Sequence, residues 1–211
     1  QQGIYDISAM LENGDEELWD TQTNSVSPVG QYHYWGEPLY GYYNSTDEWV
    51  LRKHIELLTL AGVDFLVFDV TNGFEYFDVL NVLLPIMQEY YDAGWDVPKF
   101  MFYTNSNSAE VVRRLYEGYE TDIPSQSDIY NDGIYKDGRY KDLWFAPNGK
   151  PMIVAITEKN GGASDQGSSA ALTEADDADL LEFFEIKESQ WPNTGFNNEN
   201  GFPWVEFSRP N

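Results

Sequence analysis

The 211 residues carry 36 Asp and Glu against 12 Lys and Arg, a formal charge of −24, and 42% of them are hydrophobic. Such a chain can bury a core of its own, but it lacks the basic patch that a phosphate backbone requires, so nucleic acid is excluded as a partner. With no Cys, disulfides, thiolate catalysis and Cys-ligated zinc are excluded, and without an 18-residue apolar run no membrane span is expected.

Seven Trp, fifteen Tyr and twelve Phe make up 16% of the chain. That exceeds what core packing asks for and points to a surface that stacks flat ligand faces, of which sugar rings are the commonest. The acidity suits an extracellular or salty setting, and a secreted or periplasmic location is expected. Gln1 opens without the charged and apolar regions of a signal peptide, as a processed or trimmed chain would.

In chain order, GIYDISAM (3–10) reads as a short strand or lead-in and Glu12 to Pro28 as polar surface loop. QYHYWGEPLYGYYNST (31–46) is too punctuated by Gly36, Pro38 and Gly41 for a helix and too aromatic for a solvated linker. It is expected to be an ordered loop lining a cleft. In DEWVLRKHIELLTLAG, the residues Trp49, Val50, Ile55, Leu57, Leu58 and Leu60 fall near helical spacing, with Asp47 in the first turn and Gly62 at C′. Val63 to Val70 is a nearly continuous β-branched and aromatic run, which predicts a central strand buried on both faces.

Phe77, Leu80, Leu83, Leu84, Met87 and Tyr91 form a second helical stripe, in which Pro85 predicts a kink or a break. VPKFMFYTN is a second strand, and Ser108 is expected to cap a third helix. Residues 121 to 143 read as an irregular insertion, and Asn148-Gly149-Lys150-Pro151 as a turn into a third strand, PMIVAIT. Lys159 to Ala170 is Gly/Ser-rich. TEADDADLLEFFEIKES is expected to pass from an acidic helix start or loop into a strand around Leu181 to Ile186, with a last short strand in PWVEFSRPN.

Helix and strand alternate through three units, which indicates a mostly parallel α/β sheet. No Gly-x-Gly-x-x-Gly or Walker lysine motif follows a strand, which removes the common nucleotide-binding versions of the doubly wound fold. The expectation is a (β/α)8 TIM-barrel-like fold, whole or partial. Residues 1–211 would form a single domain, and since five or six strands cannot close an eight-stranded barrel, either the chain is a piece of a longer one or its barrel is incomplete.

The string YHYWGEPLYGYYNSTDEWVLRKHIELLTLAGVDFLVFDVTNGFEY, with FYTNS, KDLWF, GKPMIV and PWVEF after it, resembles bacterial secreted proteins similar to glycoside hydrolase families 71 and 99. The resemblance covers most of Tyr32 to Asn211. It implies a (β/α)8 barrel acting on polysaccharides, with carboxylates as acid and base.

Asp69 ends six residues of apolar strand, where a carboxylate is expensive to bury unless paired or open to a cleft. It reads either as a general acid, base or hydroxyl-binding group, or as an acceptor for the backbone of the following loop. Glu37, beside His33, Tyr34 and Trp35, either pairs with Asp69 as the two carboxylates of glycoside hydrolysis or holds its own loop. His33, Trp35, Tyr40, Asn72, Tyr103, Asn105, Glu158 and Trp191 are the candidate contacts to a polysaccharide or oligosaccharide substrate. No cofactor is expected, and two His, one of them (His54) inside a helix, do not suggest a metal site. The alternatives to hydrolysis are a non-catalytic carbohydrate-binding module or an inactive fragment of a polysaccharide-degrading protein.

Overall fold

Two stretches of the chain end alike, in Ala61-Gly62-Val63-Asp64 and Ala93-Gly94-Trp95-Asp96. In the computed structural model, which describes residues 4–6, 32–34, 36, 38–41, 43–118, 132–160, 171–190 and 199–204, each closes a helix. These are α1 (Glu48–Leu60) and α2 (Phe77–Asp92). The Val63 amide donates to the Leu58 carbonyl (3.1 Å) and Gly62 to Thr59 (3.0 Å); Trp95 donates to Tyr90 (3.0 Å) and Gly94 to Tyr91 (2.8 Å). Both are Schellman endings, and the two glycines take positive φ, 70° and 89°, which a Cβ would oppose. Each ending turns the chain directly into a strand, β3 (Phe65–Val70) and β4 (Lys99–Thr104).

The chain divides into two compact units, residues 1–50 and 51–211. In the first, β1 (Ile4–Asp6) pairs in parallel with β2 (Tyr32–Tyr34). The segment read as loop from Gln31 therefore opens as a strand, which suits its alternating aromatics. Asp47 caps α1, its Oδ1 accepting the Val50 amide at 3.0 Å.

The second unit holds a curled five-stranded parallel sheet in the order β3-β4-β5-β6-β7, with β5 Met152–Ala155, β6 Glu185–Gln190 and β7 Gly201–Pro203. This is a half-barrel and not a complete (β/α)8 barrel. Nor is β3 central as its composition suggests: it is the terminal strand of this sheet, and Val67 is exposed. The strands buried on both faces are β4 and β5. One face packs Phe100, Phe102, Ile153 and Ala155 against Leu80, Leu84 and Met87 of α2 and Val111, Val112 and Leu115 of α3 (Ser108–Glu117). The other gathers Met101, Tyr103, Met152 and Val154 with Phe65, Phe145 and Phe202.

Three local expectations are corrected. Helix α2 runs unbroken through Pro85, which is exposed on the solvent side, where loss of one intrahelical bond costs least. Ser108 does not cap its helix. Asn107, with φ 51°, takes that position, and the buried Ser108 hydroxyl instead accepts the Ile156 amide (3.0 Å) and bonds Thr104 Oγ1 (2.6 Å). The Leu181–Ile186 strand is displaced: Ala178–Phe183 is helix α4 and the strand begins at Glu185, because Leu180 and Phe184 must both reach the core. The last strand among the described residues is Gly201–Pro203, and the strand expected in PWVEFSRPN lies, from Val205 on, outside those described.

The supposed insertion also contributes to the core. Ile134, Tyr135 and Leu143 are fully buried, and Tyr135 packs among Phe100, Phe102, Trp144 and Phe184 at ring separations of 4.9 to 6.2 Å. Burial alone pushes the Tyr135 phenol far up, so it stays neutral.

Candidate functional site

In parallel α/β proteins the C-terminal edge of the sheet receives ligands, because the loops after the strands converge there. Asp69 stands at that edge on β3. It is exposed, and its Oδ1 accepts the Thr71 amide at 2.9 Å, which fixes the start of the loop to α2. Asn72 is exposed in the same loop, as are Phe74 and Tyr76.

Asp69 is in register with Tyr103 on β4, so the two side chains leave the same face. Tyr103 is 1% exposed. Its hydroxyl donates toward the Phe202 carbonyl (2.8 Å) and accepts the Gln190 amide (3.0 Å), tying β4 to β6 and β7. Burial raises its pKa; the Ser189 and Gln190 hydrogen bonds oppose that, and the Asp69 charge adds to it. The Ser189 hydroxyl lies between Tyr103 (3.3 Å) and Asn105 Oδ1 (3.1 Å), with one proton for the two. Asn105 is buried, so it and Tyr103 stiffen the edge from beneath.

Three further carboxylates reach this edge. Glu75, on the loop after β3, is buried against Arg114, whose Nε lies 2.6 Å from Oε1. The same guanidinium binds Glu110 (2.5 Å) and the Gly73 carbonyl (3.0 Å). Burial raises the Glu75 pKa against the opposing pull of Arg114. Glu158, after β5, is exposed and accepts the Glu174 amide at 3.1 Å. Glu188 on β6 is 5% exposed. Its Oε1 receives the Thr157 hydroxyl at 2.5 Å and its Oε2 the Thr157 amide at 3.2 Å. It lines a cavity of about 220 Å³ between the ends of β5 and β6 and the segment leading into α4.

In the unit 1–50, Tyr40 packs edge-on to Trp49 at 5.2 Å, and His33 is in β2, paired in register with Tyr5. Glu37, Trp35 and Trp191 lie outside the described residues. Among the described residues no group of three or more His, Asp and Glu is placed to hold a metal ion, and no helix is long and apolar enough to cross a membrane. No family model, curated protein or solved structure matches the chain.

The polar lattice around Glu188 adds Thr157, Ser189 and Gln190, which are absent from the sequence-based candidates. Its signal was the alternation in Glu185–Gln190, which puts Glu188 and Gln190 on one face and Ser189 on the other once the strand is correctly phased. Glu75 was equally hard to read without Arg114, which is 39 residues away in sequence.

Proposed function

We propose that this chain is a carbohydrate-active domain that acts outside the cytoplasm and hydrolyses a glycosidic bond of a polysaccharide or oligosaccharide. The reading draws on the resemblance of most of Tyr32 to Asn211, in the sequence alone, to bacterial secreted proteins similar to glycoside hydrolase families 71 and 99. The observation that carries it is Asp69: an exposed carboxylate at the C-terminal edge of a curled parallel sheet, backed by the buried Tyr103, Ser189 and Asn105 lattice. Asp69 is the proposed first carboxylate, and Glu37 is the candidate for the second on its sequence alone. One carboxylic acid protonates the leaving oxygen, and the other attacks the anomeric carbon or activates water, with a separation of about 5 Å giving retention and a wider one inversion.

A polysaccharide panel assayed for new reducing ends tests this. Asp69→Asn and Glu37→Gln are each expected to lower hydrolysis by roughly 10² to 10⁴-fold, the usual contribution of a general acid or base. Undiminished cleavage in both variants sinks the assignment. A second reading, carbohydrate binding without turnover, is favoured by a specific observation: Glu75 is engaged by Arg114 and Glu188 by Thr157. Affinity electrophoresis on the same panel separates the two, since retardation without cleavage selects binding alone.

A further inference from the structure

One motif of the sequence has no part in the chemistry assigned to Asp69 and Glu37. Asn44-Ser45-Thr46 is the only Asn-x-Ser/Thr triplet in the 211 residues, and its middle residue is not Pro. A triplet of this kind arises readily by chance, so its geometry decides its weight. The hydroxyl and the amide of Thr46 both donate to Asn44 Oδ1, at 3.0 and 3.1 Å, and close an Asx-turn. The Asp47 amide donates to the Asn44 carbonyl at 2.9 Å, and Asp47 then caps α1. These bonds fall on Asn44 oxygens and leave Nδ2 out of the turn. Asn44 and Ser45 are exposed.

A turn that served only to start α1 would need the Asp47 cap and the Asn44 carbonyl, not a hydroxyl on Oδ1. What the hydroxyl changes is reactivity. A carboxamide nitrogen is a poor nucleophile because its lone pair is shared with the carbonyl. Two donors on Oδ1 draw charge onto the oxygen, polarise the amide and make the Nδ2 protons easier to remove. Donor and acceptor are two residues apart, so the bonds need no tertiary structure and can form in a chain that has not yet folded.

The surroundings of the turn point the same way. Tyr40 packs edge-on to Trp49 at 5.2 Å, which draws together the two ends of the segment that carries the triplet. Leu39, Tyr43 and Trp49, which flank it in sequence, are all exposed. A bulky hydrophilic group on the turn would shield such apolar flanks from water.

We propose that Asn44 is a site of N-linked glycosylation. The co-reactant is an oligosaccharide carried on a polyisoprenyl diphosphate, and the catalyst is an oligosaccharyltransferase of the secretory route. Nδ2 bonds to the anomeric carbon as the anomeric C–O bond breaks. The lipid diphosphate leaves with the bonding pair, and one Nδ2 proton is released. The amide carbonyl survives, and with it the Oδ1 acceptor of the turn. The inference rests on the extracytoplasmic part of the reading above and on none of its hydrolytic chemistry.

The test is synthesis of the whole chain behind a cleavable signal sequence in the presence of microsomes, which supply the compartment whatever the chain's own route. A single endoglycosidase-sensitive adduct, placed on Asn44 by peptide mass spectrometry, is expected. It should vanish in Asn44→Gln and in Thr46→Val, which keeps the amide donor and the shape but not the hydroxyl, and persist at lower occupancy in Thr46→Ser. Transfer takes place on the nascent chain, so poor folding of a variant does not mimic its loss. A parent without the adduct, or an adduct that survives Thr46→Val, overturns the site. Because the signal sequence supplies the compartment, a missing adduct counts against Asn44 and leaves the extracytoplasmic reading standing. An adduct on a parent that cleaves no polysaccharide supports the site and removes only the hydrolytic reading.

Discussion

The β3 end and the β6 end of the sheet each bring a carboxylate to the same edge and treat it in opposite ways. Asp69 is exposed and gives one oxygen to the Thr71 amide, whereas Glu188 is buried and gives both oxygens to Thr157. A third arrangement stands between them in Glu75, buried like Glu188 but neutralised by a guanidinium. Position at a strand end therefore does not assign a role. An acid open to water keeps its charge available for chemistry, while one withdrawn from water must be satisfied by neighbours and becomes part of what holds the edge in shape.

The largest effect expected is at Glu75. Arg114→Met leaves that carboxylate buried without its cation, a loss of about 3 to 5 kcal/mol at neutral pH for a pair broken on one side. The Glu75 pKa is already raised by burial and rises further without Arg114. A carboxyl with a raised folded pKa binds more protons folded than unfolded, so its contribution is most favourable below the ordinary Glu value and is lost as pH rises through the folded pKa. Urea midpoints should show the deficit shrinking between pH 7 and pH 5 with m unchanged. A deficit flat across that range would mean that Arg114 acts by packing.

Glu188→Leu comes next, at about 2 to 3 kcal/mol, because the Thr157 amide and hydroxyl both lose their acceptor in the interior. Adding Thr157→Val should recover part of the loss, and simple additivity in the double mutant would show that the two side chains are not coupled. Tyr103→Phe is expected to cost less, about 1 to 2 kcal/mol. The Gln190 amide loses its acceptor and the Phe202 carbonyl a donor, but both are backbone groups on neighbouring strands.

What was legible in the sequence follows the same divide. Helices α1 and α2 announce themselves through stripes such as Leu80, Leu84 and Met87 and through the Ala-Gly endings, because local periodicity and a positive φ are written in adjacent residues. The strand-end places of Asp69, Tyr103 and Asn105 are legible for the same reason. The order of strands is not. Val63 to Val70 has the composition of an inner strand, but nothing in it says that β3 would end the sheet, and β4 has the same apolar character with both faces covered. Tyr135 sits in a stretch of turns and polar residues, and only rings from three other segments make it a core residue. The phase of β6 was lost because Phe183 and Phe184 read as strand, although Phe183 ends a helix; with the phase went Gln190 and the burial of Glu188.

The smallest effect, on stability at Asp69, tests the comparison most directly. Asn keeps the Oδ1 that accepts the Thr71 amide and gives up only a charge that water already solvates, so Asp69→Asn should move the unfolding free energy by less than about 0.5 kcal/mol. Asp69→Ala also removes the turn acceptor and should cost about 0.5 to 1 kcal/mol, in the range of a lost local cap at an exposed site. If Asp69→Asn instead destabilised the fold as much as Glu188→Leu, the carboxylate at the β3 end would be held as tightly as the one at the β6 end. The contrast between an acid kept open for chemistry and an acid spent on structure would then fail at the residue on which the proposed hydrolysis depends.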